Sequence, residues 1–178
     1  MFGAARAKEE KIIMKAIVYT SNTGHTEAYA KIIGEKIGLP VYSLSEAGNK
    51  LPKGADIIYL GWLFASRVKG YKKATKKYKI SAICGVGLCD NGTLTDEVRK
   101  TNSIPEKTPI FTVQGGIDKT KLRGINKFMI NTLIKGLSSQ KERSVADERM
   151  LYLLMQNENY VCEENLDAFL EWYNKQEK

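Results

Sequence analysis

Five short apolar runs, separated by segments with helical spacing, constrain the fold of this chain more than any other feature. Runs this short, rich in β-branched residues and bounded by turn residues, predict strands. Because most of them are apolar throughout, we expect a parallel sheet covered on both faces by helices, which is an α/β fold. The predicted strands are KAIVYT (15–20), 41–44, ADIIYLG (55–61), ISAICGVG (80–87) and PIFTVQGG (109–116). The predicted helices are 26–38, 70–79, 95–102, 122–137 and 164–175.

The composition is that of a globular chain with one domain. Of the 178 residues, 43% are hydrophobic and 27% are charged, so a core can form without disulfides or metal. The first 13 residues lack the apolar stretch of an export signal, and we interpret them as an N-terminal extension before a single domain at 14–178. Three scattered cysteines and the absence of a long apolar run predict a cytoplasmic protein. A lone histidine argues against a His-rich metal site, and no metal is expected.

Positive charge is concentrated in two segments. The formal net charge is +8, and residues 66–79 and 119–143 hold seven Lys or Arg each. Basic surfaces of this kind favour nucleic acid, anionic lipid or an acidic protein, although a solvated helix face explains them equally well. No recognised nucleic-acid motif accompanies the charge, so a nucleic-acid-binding module is the weakest hypothesis and no nucleic acid is expected.

The most informative motif follows the first predicted strand. Its hydroxyls, a glycine that permits close approach, and the N-terminus of the next helix all suit a phosphate group. It lacks the patterns of the nucleotide P-loop and of the dinucleotide-binding turn. Simple helix capping by Thr23 or Thr26 is the alternative. The predicted phosphate-binding residues are Ser21, Asn22, Thr23, Gly24, His25 and Thr26.

This motif resembles the phosphate loop of the flavodoxin family, (S/T)-x-T-G-x-T. The resemblance extends, as a pattern of strands and loops, over most of residues 14–178. It implies a doubly wound, five-stranded parallel sheet in the order 2-1-3-4-5, with FMN bound non-covalently. The family also places flavin contacts after the third and fourth strands, where aromatic and aliphatic side chains suit the ring and glycine backbones reach its polar edge. The corresponding residues are Trp62, Leu63, Phe64, Ala65, Gly85, Val86, Gly87, Leu88, Cys89 and Asp90.

The sequence does not decide the roles of several residues in those two loops. Trp62 or Phe64 could stack on the ring, or both could be core residues. The second loop lacks the aromatic residue that many flavodoxins carry there. No side chain stands out as a catalytic acid, base or nucleophile, so the chemistry would belong to the flavin.

The resemblance implies a flavodoxin-like electron carrier that serves a redox partner protein. Two features of this chain depart from that pattern. Its net charge is +8, whereas typical flavodoxins are acidic, and residues 118–140 have the pattern of a basic amphipathic helix. RGINKFMINTLIKGL is similar to a segment of the flavodoxin-type, quinone-dependent protoporphyrinogen oxidases, which implies an alternative, an FMN-dependent oxidoreductase acting on quinone or another hydrophobic substrate. Residues 119–143 could contact an anionic membrane peripherally, at its inner face, or form an ordinary helix packed on the sheet.

Overall fold

The predicted strands form one sheet in a computed structural model that describes residues 14–176. The predicted N-terminal extension (1–13) and residues 177–178 lie outside the described residues. The strands are β1 (Ala16–Thr20), β2 (Val41–Ser43), β3 (Asp56–Phe64), β4 (Arg67–Val68), β5 (Lys79–Gly87) and β6 (Ile110–Gln114). The helices are α1 (His25–Ile37), α2 (Leu44–Lys50), α3 (Tyr71–Ala74), α4 (Thr95–Asn102), α5 (Gly124–Ser138), α6 (Val145–Met155) and α7 (Asp167–Gln176), with a 3₁₀ turn at Glu163–Leu166.

The strand order is β2-β1-β3-β5-β6, and all neighbours on this path are parallel. It differs from the predicted order 2-1-3-4-5 because the predicted third strand runs on to Phe64 and then turns back. The turn is Ala65-Ser66, and the returning strand β4 pairs antiparallel with β3. Both turn residues have positive φ, 47° and 58°, which is the geometry that a two-residue hairpin requires. Ala-Ser is a poor match to the usual Asn-Gly signal, so the hairpin was not predicted.

Both faces of the sheet are covered by helices, as the apolar runs predict. On one face Ile17, Ile58 and Cys84 pack with side chains of α1 and α7, including Tyr29 and Phe169. On the other face Val18, Ile57, Tyr59 and Ile83 pack with side chains of α2, α3 and α4. The side chains of Ile57 and Ile58 therefore enter different cores, as alternation along a strand requires.

Several predicted boundaries were wrong. Leu44 begins α2 rather than ending β2, because the Ser43 side chain accepts from the Glu46 N–H and the Glu46 carboxylate accepts from the Ser43 N–H. The helix predicted at 70–79 is only the four-residue α3. Helix α6 was not predicted.

Helices α5 and α6 form a third apolar cluster beyond the end of the sheet. Ile130 and Leu137 of α5 pack with Leu154 of α6, and Phe64 and Leu88 pack against the cluster from the sheet side. Helix α5 therefore packs mainly on α6 and on loop residues, rather than across the sheet. Within the described part of the chain, no helix is long and apolar enough to span a bilayer.

Candidate functional site

Three loops meet at the carboxyl ends of β1, β3 and β5, where open α/β sheets bind their ligands. They enclose two adjoining cavities, one of about 60 Å³ beside the β1–α1 loop and one of about 210 Å³ between the β3–β4 turn and the β5–α4 loop. Leu63, Gly87, Leu88 and Ile130 line both cavities, so the two adjoin, and together they are called the cleft.

The polar end of the cleft is the β1–α1 loop with the first turn of α1. Gly24 is the N-cap residue at φ 104°, and no side chain caps the helix. The N–H groups of the first turn have no preceding carbonyl to bond and carry the positive end of the helix dipole. Helix capping by Thr23 or Thr26, the alternative reading of the motif, is therefore not observed. The loop can present backbone donors to an anion instead.

The loop's hydroxyl groups are held close to those donors. Ser21 Oγ accepts from the Gly24 N–H at 3.1 Å, and Thr23 Oγ1 lies 3.0 Å from His25 Nδ1. Thr23 and Thr26 are buried but line the small cavity. The side chain of Asn22 accepts from Asn126 Nδ2 at 3.0 Å, which fixes the first turn of α5 against this loop.

His25 is half-buried between the loop and the glycines after β6. Burial lowers its pKa, and nearby Lys121 lowers it further, while Asp118 opposes the shift. A side chain at Gly116, where φ is 137°, would overlap the Glu158 carbonyl oxygen and come within 3.0 Å of His25 Nε2. Because Gly116 has no side chain, the imidazole of His25 fits beside its backbone.

Lys121 and Asp118, which sequence reasoning did not single out, line the depression on the Gly24 side of the β1–α1 loop. Lys121 Nζ lies 3.9 Å from the position that a Cβ on Gly24 would occupy, so an ammonium group stands beside a loop that has no cation of its own. Asp118 holds this ammonium at 3.2 Å. The Thr120 hydroxyl, and then Lys121, lower the pKa of Asp118 to about 2. The basic segment 119–143 was the only signal for Lys121, and Asp118 directly precedes that segment.

The larger cavity is mostly apolar. Sequence-predicted residues contribute Leu63, Phe64, Ala65, Gly87, Leu88, Cys89 and Asp90 to its walls, and Trp62 and Val86 line the small cavity. Two predicted residues lie elsewhere. Gly24 lines a shallow depression of about 300 Å³ on the outer side of the β1–α1 loop. Gly85 lies under Leu63, where a Cβ would come within 3.0 Å of Leu63 Cδ2, so its role is to let Leu63 pack.

Other walls of the large cavity come from residues that the sequence did not single out. Ser66 Oγ donates to Glu97 Oε1 at 2.6 Å, and both residues line the cavity. Leu94, at φ 62°, is the N-cap of α4 and reaches the same space. The far wall consists of Ile130, Leu133, Met150 and Leu154 of α5 and α6.

Trp62 and Phe64 lie beside the cleft and outside the two sheet cores. Their ring centroids are 6.2 Å apart with an edge-on arrangement. Lys69 Nζ lies 5.2 Å from the Trp62 ring and 5.4 Å from the Phe64 ring. Both rings remain partly accessible, and Phe64 also packs on the α5–α6 cluster.

No protein-family model, curated protein or solved structure matches this chain. Its function must therefore be argued from the cleft itself.

The β5–α4 loop is tied down by its own polar contacts. Gln114 Nε2 donates to the Leu88 carbonyl at 2.9 Å, and Asp90 pairs with Arg149 of α6 at 2.6 Å. Thr112 Oγ1 donates to the Thr93 carbonyl at 2.6 Å. The loop is thereby bound to β6 and α6, and its backbone is preorganised at the mouth of the cleft.

The three cysteines occupy different environments. Cys84 is buried in β5, and burial raises its pKa to about 12. Cys89 is half-buried in the cleft wall, where burial and the Asp90 carboxylate raise its pKa. Cys162 is exposed. Across residues 14–176, no cluster of three His, Cys, Asp or Glu side chains is arranged to hold a metal ion.

Proposed function

We propose that this chain is a flavodoxin-like protein that binds FMN non-covalently and transfers electrons. The observation that carries the proposal is the pair of adjoining cavities in the cleft, one with hydrogen-bond donors and the other with apolar walls. FMN also has a polar part and an apolar part, since its phosphate is a dianion and its ring system is flat and largely apolar.

The strand order supports this reading. If the two-residue hairpin strand β4 is left out of the numbering, the parallel strands β2-β1-β3-β5-β6 follow the order 2-1-3-4-5. The cleft then lies at the switch point between the first and third strands, where that fold binds its ligand.

The donor set fits a phosphate group. Ser21, Thr23 and Thr26 supply hydroxyls, and the N–H groups of the first turn of α1 supply further donors without a capping side chain.

The apolar walls fit a flat ring. Leu63, Phe64 and Leu88 can cover its faces, and the β5–α4 backbone can meet its polar edge. Bound FMN would supply reversible one- or two-electron chemistry, while the protein binds it, orients it and limits the access of water.

A spectrum of the purified protein, before and after addition of FMN and removal of the excess, tests the proposal. Flavin bands that stay with the protein are expected. If neither preparation retains flavin, the proposed function is wrong.

A double substitution, Thr23→Ala with Thr26→Ala, tests where the phosphate sits. We expect FMN affinity to fall by at least about tenfold, because hydrogen bonds to a charged group are worth roughly 1.5–3 kcal/mol each. Riboflavin, which lacks the phosphate, should bind the variant and the wild type about equally. Thr75→Ala with Thr101→Ala, outside the cleft, is the matched control. Unchanged FMN affinity in the first variant would place the phosphate elsewhere.

A second candidate function is an FMN-dependent oxidoreductase acting on quinone or another hydrophobic substrate. It is favoured by an open apolar groove of about 480 Å³ that shares Phe64 and Leu133 with the cleft. A bound apolar molecule there would lie beside the proposed ring site. The remaining lining residues are Phe128, Met129, Thr132, Gly136, Leu137 and Gln140.

The two candidates differ in turnover. FMN-loaded, chemically reduced protein can be mixed with a water-soluble quinone, which takes up two electrons and two protons to become a quinol. The enzyme is supported if the oxidation rate saturates as the quinone concentration rises and if Phe128→Ser lowers that rate. Ile125→Ser is the control, since Ile125 is equally exposed but does not line the groove. Slow oxidation that does not saturate would support the carrier.

A further inference from the structure

The mouth of the cleft is bordered by cations. Arg67 directly follows the Ala65-Ser66 turn in the cleft wall, and Lys69 lies over the rings of Trp62 and Phe64. Lys127 is exposed on the first turn of α5, which Asn126 fixes to the β1–α1 loop.

Two acidic groups near the mouth form ion pairs. Asp90 pairs with Arg149 at 2.6 Å, and Asp118 pairs with Lys121 at 3.2 Å. Glu97 accepts from the Ser66 hydroxyl but keeps its negative charge, and neither Glu97 nor the adjacent Asp96 forms an ion pair with another residue between 14 and 176. Likewise, none of Arg67, Lys69 and Lys127 forms an ion pair with another described residue. The three unpaired cations therefore outnumber the two unpaired carboxylates, and they are available to an incoming anionic group.

Exposed apolar side chains lie near these cations, since Phe128 follows Lys127 and shares a groove with Phe64, over which Lys69 lies. Ile125 is 72% exposed and Phe128 70% exposed, and Leu94 of the β5–α4 side is 39% exposed. A few large apolar anchors inside a charged rim are typical of protein–protein interfaces. The rim charges of such an interface steer the partner and select its sign.

We propose that the mouth of the cleft docks an acidic redox protein, whose carboxylates meet Arg67, Lys69 and Lys127 while an apolar patch covers Phe128 and Ile125. The inference depends on the proposed electron-transfer function, because only a partner seated at this mouth brings its redox centre near the cleft. The expected partner has an acidic surface with an apolar centre.

The distribution of charge favours a protein over a flat membrane. The basic segment 66–79 continues from the mouth to Lys79. In the sheet, the backbone of Lys79 lies next to that of Asp56, at the opposite end of β3. That end is about 26 Å from Phe64, given the rise per residue of a strand. A bilayer plane that lies across the Phe64 end of β3 would leave the other end of the segment in water, whereas a contoured protein can follow it.

The test compares two variants with the same change of charge. Arg67→Glu with Lys127→Glu alters the mouth, and Lys77→Glu with Lys79→Glu alters the exposed far end of the same basic segment. Binding of FMN-loaded protein to an acidic [2Fe–2S] ferredoxin and to an acidic c-type cytochrome is measured by calorimetry. We expect the mouth variant to lose at least about tenfold in affinity and the far-end variant less than about threefold. Wild-type affinity should fall as salt rises, because the rim charges are exposed.

Each outcome is decisive. Equal losses in both variants would mean attraction by net charge alone and would overturn the proposal, as would no measurable binding of either acidic protein. Binding of the wild type to phosphatidylglycerol vesicles, or to a single-stranded oligonucleotide, in preference to both proteins would overturn it in favour of a membrane or a nucleic acid. Flavin retention is recorded for every variant, so that a failure of docking is distinguished from a failure of the proposed function.

Discussion

Asn91 and Asn165 are joined by a hydrogen bond of 2.6 Å from Asn91 Nδ2 to Asn165 Oδ1, across 74 residues of sequence. Asn91 Oδ1 also accepts from the Gln114 N–H at 2.8 Å. The Asn165 amide donates to Tyr29 Oη at 2.6 Å and to the Tyr160 carbonyl at 2.9 Å. This pair therefore connects the β5–α4 loop with β6, α1 and the segment before α7, and it holds one wall of the cleft in place.

Asn165→Ala should lower both stability and ligand affinity. The substitution removes the Asn165 partner of the Asn91 amide and the nearer of the two donors to the Tyr160 carbonyl, which keeps only the Tyr29 hydroxyl at 3.4 Å. We expect a loss of about 2 kcal/mol in the free energy of unfolding. Denaturant unfolding measures it, with Asn49→Ala on exposed α2 as a control that should change stability by less than about 0.5 kcal/mol. FMN affinity should fall as well, since the loop loses its anchor. A stable variant with unchanged affinity would mean that the loop is positioned by its other contacts.

The parts of this molecule that could be predicted are those encoded by local pattern. The strands were predictable because runs such as ADIIYLG are apolar on both faces, and the β1–α1 loop because hydroxyls, a glycine and a helix start follow one another directly. Only long-range packing brings Met150 and Leu154 into the cleft wall. Periodicity marks the apolar positions of α5, but it does not say whether Phe128 is covered or exposed.

The backbone conformation at two positions in the cleft could not be predicted from the sequence either. Leu94 has φ 62° at the N-cap of α4, and Ala65 has φ 47° in the hairpin turn. Neither residue type favours that region, so no sequence signal marks these positions. Both line the cleft, which is where strained backbone tends to be found in proteins.

Gly70→Ala should be far more damaging than Gly54→Ala, although both glycines have φ 82°. A Cβ at Gly70 would overlap Tyr59 Oη and Thr20 Oγ1, whereas one at Gly54 meets nothing within 4 Å. Tyr59 Oη lies 2.7 Å from Thr20 Oγ1 and donates to the Lys69 carbonyl at 2.8 Å, so the clash would break a largely buried network. We expect a loss of about 1 kcal/mol for Gly54→Ala from backbone strain alone.

For Gly70→Ala we expect at least about 3 kcal/mol, because steric overlap and a broken hydrogen-bond network are added to the same strain. Thermal or denaturant unfolding compares the two variants. Because Tyr59→Phe removes the oxygen that the new methyl group meets, the double variant Tyr59→Phe with Gly70→Ala should lose less than the sum of the single variants. Equal losses for Gly54→Ala and Gly70→Ala would show that the network yields easily.

The cysteines should be alkylated in the order Cys162, then Cys89, then Cys84. A raised pKa means less thiolate at a given pH, and burial raises the pKa of both Cys89 and Cys84, the latter to about 12. Iodoacetamide labelling at about pH 8, followed by peptide mass spectrometry, measures each rate. Added FMN should slow only Cys89, because that side chain lines the cleft. Protection of Cys162 but not of Cys89 would contradict a ligand in this cleft.

His25 should titrate below its ordinary pKa of 6.5, because burial and then Lys121 disfavour the imidazolium. The chain has one histidine, so a proton NMR titration reads this group directly. Lys121→Met should raise the midpoint, whereas Lys119→Met, with the same loss of charge, should leave it nearly unchanged. The folded state binds its proton less readily than the unfolded state. The contribution of His25 to stability is therefore present above pH 6.5 and lost as the pH falls through the lowered pKa.

A phosphate held by the β1–α1 loop should reverse this shift. The dianion would lie near the imidazole and favour its charged form, so FMN should raise the His25 midpoint, and riboflavin, which has no phosphate, should raise it much less. Because Thr23 Oγ1 lies 3.0 Å from His25 Nδ1, the imidazole reports on the donors assigned to the phosphate. A midpoint that FMN and riboflavin move equally would mean that the phosphate does not occupy this loop, even if the ring occupies the cleft.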